Sequence, residues 1–421
     1  MLLANDTFQH YCCGCVFVHF DIGRLYSMKV LWVHSHFSNW MGGTIFIYEL
    51  LKKLRIHCHL EIVVQNGSDD VLTKFKSENL FVHNLKSPST NVKSFWIRFF
   101  RTCEKDAKKI QKIIDTRGFD TVVSSMFPAN FIVSKLKNVN IFQYCYEPYA
   151  AFWDTVKVNN QTMLKRYATH ALKFFFGRYD ISSTRQALKV FTLSTETKEA
   201  IFSIYGLDSL VTYLGVDQDF YRHQDDPSLS QKYRGEKVLI HNTDFSPPKR
   251  TGFLLDSMPE IINKIPRVRL LITCSLSEKE KINRLVRNIE IRGIGSHVDV
   301  LGWVDYDLLP FYYSLADLVI YSGTSEGGGA SAVSLFVLEA MACETPCLRS
   351  NDSKTEVIDG VNGELFNALN QDEFVKKCVS LLSNPNLLSL YSSRCRLYIE
   401  QKYSWDNVAR LIFDNIKKIK T

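Results

Sequence analysis

The sequence predicts two α/β units, each a doubly wound parallel sheet, facing one another across a cleft. Three observations predict this class. Short apolar runs alternate with helical segments along most of the chain. The 421 residues, 46% of them hydrophobic, suffice for two or three cores at roughly 150 residues each, and two are expected. The alternation is interrupted once, where Leu214-Gly215-Val216-Asp217 runs into the polar stretch 218–235.

Taken in order, the pattern begins at Met28. A strand at 30–34 leads through Gly42 and Gly43 into an amphipathic helix that ends near Leu54, and a second strand follows at 60–65. Apolar runs at 121–124, 141–144 and 190–194 are bounded by turn or helix signals and read as buried parallel strands with helices on both faces. After the break, strands at 237–241, 268–273, 298–301, 318–321 and 346–348 are separated by helices at 252–262, 277–291, 306–314 and 336–342. Helices at 372–382, 387–402 and 405–420 close the chain, the last of them able to cross back to the first half. The expected division is an extension at 1–27, a first domain at 28–214 and a second at 215–404. The extension lacks a basic leader and a small-residue cleavage site, so it reads as a frayed addition or a start upstream of the fold, not as a signal.

Composition excludes several classes. With 23% charged residues and a hydrophobic content of 46%, the chain is neither a disordered tail nor a small disulfide scaffold. Its apolar runs are far short of the roughly 20 residues that span a bilayer. The eleven cysteines show no paired framework and no metal spacing, which fits reduced thiols in the cytoplasm. A net charge of +7, spread along the chain, favours anionic small molecules or a lipid surface over nucleic acid.

Three segments carry chemistry. Ser246-Pro247-Pro248-Lys249-Arg250-Thr251 is a stiff loop that delivers two cations and a hydroxyl to the start of a helix, where unpaired N–H groups and the helix dipole favour a diphosphate. A solvated basic loop has the same composition. Thr324-Ser325-Glu326-Gly327-Gly328-Gly329 lets backbone amides approach a ligand, and Glu339 in Leu338-Glu339-Ala340-Met341-Ala342 can accept two hydrogen bonds from a ribose diol. A flexible loop with a solvent-facing glutamate reads the same in isolation. The turn-rich stretch 351–366 follows, with Glu356-Val357-Ile358, Asp359-Gly360 and Asn362-Gly363. Asp217-Gln218-Asp219 has the acid-x-acid spacing of a divalent-cation site but coincides with the hinge and is expected to be structural. A nicotinamide dehydrogenase is set aside because no glycine fingerprint follows the first strand in register.

From Met28 to the C-terminus the sequence resembles the family 4, group 1 glycosyltransferases, whose two Rossmann-like domains form the GT-B architecture. The resemblance rests on Val300-Leu301-Gly302-Trp303-Val304, Ala316-Asp317-Leu318, Glu339-Ala340-Met341-Ala342-Cys343, Thr345-Pro346, Glu356-Val357-Ile358 and Asn362-Gly363, in that order. Gly42-Gly43, Gly215-Val216-Asp217 and Tyr403-Ser404-Trp405 support it. It implies a retaining transferase that moves a sugar from a nucleotide-diphosphate sugar to a hydroxyl of a glycan or lipid-linked glycan, in cell-surface polysaccharide or glycolipid synthesis. It implies a cytoplasmic protein, at the inner face of the cell membrane where the acceptor is lipid-linked, with no metal or other cofactor. A catalytically silent nucleotide-sugar-binding accessory subunit is the alternative.

By the same resemblance Lys249 holds the donor diphosphate, with Arg250 and Thr251 beside it, and Glu339 holds the ribose. Gly327, Gly328 and Gly329 line the donor site, while Gly42 and Gly43 let the first helix approach the donor phosphates or the acceptor. The sequence also departs from the family. Ser331 stands eight residues before Glu339, where a glutamate is usual, and Glu326 is read as that glutamate displaced. Asp244 replaces a phosphate-binding arginine, and Glu344 replaces a glycine. Tyr146 stands where relatives often have a histidine. Glu147 beside it is either a catalytic base or an acid that caps the next turn. Two aromatic and basic stretches, 95–101 with the lysines after it and 173–178, are either lipid-facing or buried aromatics flanked by solvated cations.

Overall fold

The computed structural model describes residues 28–40, 42–90, 92–159, 161–274, 278–324, 333–351 and 356–420. Two sheets organise them. The first contains β1 (Lys29–Phe37), β2 (His59–Gly67), β3 (Phe81–Asn84), β4 (Thr121–Ser124), β5 (Asn140–Tyr144), β6 (Val190–Thr192) and β7 (Ser209–Val211), ordered β3-β2-β1-β4-β5-β6-β7. The second contains β8 (Lys237–Thr243), β9 (Val268–Cys274), β10 (Val298–Gly302), β11 (Leu318–Tyr321), β12 (Cys347–Ser350) and β13 (Gly363–Phe366), ordered β10-β9-β8-β11-β12-β13. Neighbouring strands pair in parallel throughout.

This topology follows from the strand sequences. The central strands are buried on both faces, as in Trp32, Val33, Val63, Val122 and Val123 of the first sheet and Leu239, Ile240, Leu271 and Ile320 of the second. Continuous apolar runs of this kind suit a parallel sheet covered by helices on each side. The strand order reverses between β1 and β4 in one sheet and between β8 and β11 in the other, and such reversal points open a crevice beyond the carboxyl ends of the strands. Gly42 and Gly43 follow β1 and Lys249 follows β8, so each lies at a reversal point.

The edge strands β3 and β7 were outside the sequence expectation. Phe-Val-His-Asn at 81–84 has no buried residue and β7 has only three residues, so neither gives a buried apolar run. The eight described cysteines are free and buried, and no helix among the described residues is long and apolar enough to cross a membrane.

The two halves are tied at one crossing. Val216 N–H donates to Tyr403 O at 2.8 Å and Val216 pairs with Ser404, after which the Trp405–Lys420 helix lies on the first half. Its Trp405 ring meets Phe46 edge-on at 5.3 Å, Asp406 accepts from Lys53 at 3.0 Å, and Phe413 stacks on His57. Gly215 is required here, because a Cβ at that position falls 2.2 Å from the Trp405 ring and 2.6 Å from its backbone nitrogen. Gly215→Ala is therefore expected to destabilise the fold by roughly 1–3 kcal/mol, read as a lowered melting temperature, through forced displacement of a packed ring and backbone. An unchanged melting temperature would show that the crossing is loose.

Candidate functional site

A cavity of about 610 Å³ opens where the carboxyl ends of the two sheets face each other. The first half contributes Trp40, Gly42, Gly43, Phe46, Tyr146 and Glu147 to its wall, and the second contributes Asn242, Lys249, Tyr313, Tyr321, Ser334 and Glu339, among others. Six of the residues singled out from the sequence thus share one hollow, although Gly42 and Glu339 are nearly 300 positions apart.

Lys249 is positioned by the loop between β8 and the helix Thr251–Lys264. Asp244 starts the loop by accepting from the Ser246 N–H at 2.9 Å. Pro247 opens a single 3₁₀ turn, and Arg250 follows in the left-handed conformation at φ 50°. The Ser322 hydroxyl, just past β11, bonds the carbonyls of Lys249 and Arg250 at 3.0 and 3.3 Å and clamps the turn from below. The Lys249 ammonium lies 5.3 Å from the centroid of the Tyr321 ring and, among the described residues, has no carboxylate within salt-bridge range. Burial lowers its pKa; Asp244 opposes that shift and Arg349 adds to it.

The Tyr321 ring also lies against Arg349, whose guanidinium carbon sits 4.2 Å from the ring centroid. Arg349 is buried and ion-paired to the equally buried Glu356 at 2.7 Å. The same Glu356 oxygen accepts from the N–H of Ser334, the residue that precedes the Leu335–Ala342 helix. One buried ion pair therefore touches both the ring beside Lys249 and the start of the helix that carries Glu339.

That helix is apolar nearly all round, with Phe336, Val337, Leu338, Ala340, Met341 and Ala342 buried, as expected for an element enclosed by the fold. Glu339 is its only charged residue and faces the cavity. Tyr313 donates to its Oε2 at 3.2 Å. Loss of hydration pushes the Glu339 pKa up to about 7, against the opposing pull of the Tyr313 and Tyr221 hydroxyls. A carboxyl poised in this way changes charge near neutral pH, which is unusual for an acid without a functional partner.

At Gly42 and Gly43 a Cβ would meet no described atom within 4 Å, so these backbone amides border open cavity. Tyr146 and Glu147 line the same half's wall beyond β5, with the Tyr146 hydroxyl on Met126 Sδ at 3.5 Å.

Two expected donor contacts turn elsewhere. The Arg250 guanidinium donates to the Ala368 carbonyl and lies over Phe253, and the Thr251 hydroxyl is bonded to Thr243 and His241 at 2.8 and 3.1 Å. Both side chains line a separate hollow of about 310 Å³ with Lys281 and Arg284. The left-handed backbone at Arg250 turns its side chain away from that of Lys249, so the Lys-Arg pair is split between two surfaces. Asp217 caps a turn, accepting from the N–H groups of Asp219 and Phe220 at 3.2 and 3.1 Å. Glu344 adopts φ 68°, the left-handed conformation that a glycine takes without strain. Glu326, Gly327, Gly328, Gly329 and Ser331 lie outside the described residues. The approach to that loop is fixed by Thr324, whose N–H donates to Pro248 O at 2.9 Å beside Lys249.

The aromatic lining was outside the sequence expectation. Trp40, Tyr221, Tyr306, Tyr313 and Tyr321 surround the polar groups, and Tyr306 stacks on Phe220 at 4.5 Å. The available signal was position, since Tyr321 ends a strand and Trp303 follows one.

Two facing parallel sheets with a cleft at their reversal points define the GT-B fold. Known proteins with this architecture agree. A glycosyltransferase structure from Rickettsia africae superposes with a TM-score of 0.74 at 16% identity, covering 94% of this chain and all of that one. Anabaena HepE, solved in complex with UDP, gives 0.71 at 16% identity over 93% of this chain and all of its own. An uncharacterized glycosyltransferase of Methanocaldococcus jannaschii is 23% identical over 90% of this chain and 95% of its own length. The alpha-monoglucosyldiacylglycerol synthase of Acholeplasma laidlawii is 22% identical over 56% of this chain and 59% of its own. Residues 236–384 match the family described as glycosyl transferases group 1.

Proposed function

We propose that this protein is a retaining glycosyltransferase that moves a sugar from a nucleotide-diphosphate sugar to a hydroxyl of a glycan or lipid-linked glycan, in polysaccharide or glycolipid synthesis. The observation that carries the reading is the placement of an ammonium without a carboxylate partner among the described residues, Lys249, and a carboxyl, Glu339, in one cleft of a GT-B fold. The Anabaena neighbour was solved with UDP, which supports a nucleotide-diphosphate donor here.

In this reading the diphosphate lies against Lys249 and the ribose diol donates to Glu339. Negative charge grows on the diphosphate as the glycosidic bond breaks, and Lys249 is already positioned and partly stripped of water to meet it. Backbone amides at Gly42 and Gly43 face the same space from the other half. Glu147 and Tyr146 border the side assigned to the acceptor hydroxyl. No metal ion is called for, since the cation and the amides supply the neutralising charge.

Screening the purified protein by thermal shift and donor hydrolysis against uridine- and guanosine-diphosphate sugars tests the assignment. One series should raise the melting temperature and release free sugar, whereas silence across both series would overturn it. Lys249→Ala should lower kcat by roughly 10² to 10³ with an unchanged melting temperature, the scale seen when one preorganised charge-stabilising group is removed. A variant that retains full turnover would remove Lys249 from the mechanism.

The raised pKa of Glu339 gives a signed pH dependence. Hydrogen bonds from a diol favour the ionised carboxylate, and below about pH 7 the empty site holds the carboxyl protonated. Affinity for the intact donor, whose diphosphate diester keeps its charge across this range, should therefore rise from pH 5.5 to about 7.5 and then level off. Glu339→Gln should flatten that profile and weaken binding. A slope that survives in Glu339→Gln would place the titrating group elsewhere.

A further inference from the structure

The two aromatic and basic stretches have different fates. In the first, Phe95 and Phe99 are buried and Trp96 packs between Phe127, Phe152 and Phe176, so most of its rings are core. The second lies in the Met163–Thr184 helix, where Phe174 and Phe175 are 81% and 61% exposed.

Those two rings belong to a longer stripe. Met163, Leu164, Tyr167, Ala171, Phe174, Phe175 and Arg178 recur at helical spacing on one face, and the large apolar members are all exposed, Leu164 by 83%. The opposite face is spent on the fold. Phe176 packs against Phe99 at 4.7 Å, and buried Asp180 accepts from Trp153 at 2.7 Å and Asn130 at 2.8 Å. The helix therefore has one apolar face inward and a second directed at solvent. Beside this helix, Phe100 is half exposed with its ring 5.1 Å from that of Tyr179, and Ile97 on the same chain segment is 84% exposed.

Charge decides the occupant. Lys165, Arg166 and Arg178 accompany the stripe, and residues 163–179 contain no Asp or Glu. Residues 85–103 likewise carry Lys86, Lys93, Arg98 and Arg101 without an acid. Two copies of this chain paired symmetrically through such a face would set cations against cations. A bilayer rich in anionic lipid satisfies both features, since aromatic side chains settle at the headgroup boundary and each nearby cation adds about 1 kcal/mol.

We propose that the outward face of the Met163–Thr184 helix, with Ile97 and Phe100, docks the protein on an anionic lipid surface. The same helix is fixed to the wall of the cleft: its Asp180 holds Trp153, at the end of the short helix Ala150–Trp153 that follows Tyr146 and Glu147. Docking there brings the acceptor side of the cleft near the headgroups, a consequence that rests on the transferase reading, while the docking itself does not.

The test is co-sedimentation of the full chain with vesicles of phosphatidylglycerol and phosphatidylcholine, without any sugar nucleotide. The wild type is expected in the pellet with anionic vesicles and in the supernatant with pure phosphatidylcholine or at high salt. The triple variant Leu164→Ser, Phe174→Ser, Phe175→Ser, all solvent-facing, should keep the wild-type melting temperature and partition at least about tenfold less. Wild-type protein that ignores anionic vesicles, or a triple variant that binds them as tightly, would overturn the proposal. So would a wild-type dimer that the triple variant converts to monomer, which would assign the face to a second copy. Failure here with a positive donor screen would leave the transferase reading standing.

Discussion

The arrangement of the cleft turns on a charge that the fold does not neutralise. Lys249 is partly withdrawn from water and has no carboxylate within salt-bridge range among the described residues. Holding a cation in that state costs free energy unless an anion arrives to share it. The scaffold maintains it by indirect means: a proline-stiffened turn, the Ser322 hydroxyl beneath two carbonyls, and a tyrosine ring beside it. The nearby Arg349 is a second cation and adds to the imbalance. Its pairing with Glu356 confines most of that charge to the buried pair, and the cavity keeps one cation for its ligand.

The position of that cation follows from parallel-sheet geometry. Every strand of such a sheet delivers its next loop to the same edge, and the reversal of strand order leaves a gap in the covering helices there. Two sheets whose carboxyl edges face each other combine their gaps. Glycines at 42 and 43 keep one wall low, and an apolar helix carries a single acid into the other. Glu339 and Lys249 suit opposite ends of one polar ligand: a polyanion on the cation, and a neutral diol on a carboxyl whose proton is loosely held near neutral pH.

Much of this was legible from residues alone. The central strands announce themselves as apolar runs, and Lys249, Glu339, Gly42, Gly43, Tyr146 and Glu147 come together at one cavity. What was not legible depends on backbone direction or on tertiary partners. Arg250 adjoins Lys249 in sequence, yet a left-handed φ sends its guanidinium to the Ala368 carbonyl. The aromatic wall is invisible to composition because tyrosines in a cleft and in a core look alike. Phe99 and Phe174 sit in similar aromatic and basic contexts, and only the presence of Phe127, Phe131 and Phe176 around the first separates core from surface. The edge strands are too short and too exposed to leave a pattern.

The most direct test of the account is a crystal structure of the protein with a bound uridine or guanosine diphosphate. The account predicts phosphate density within about 3 Å of the Lys249 ammonium and ribose hydroxyls on the Glu339 carboxylate. Density in the neighbouring hollow bounded by Arg250, Lys281 and Arg284, with the larger cleft empty, would contradict it.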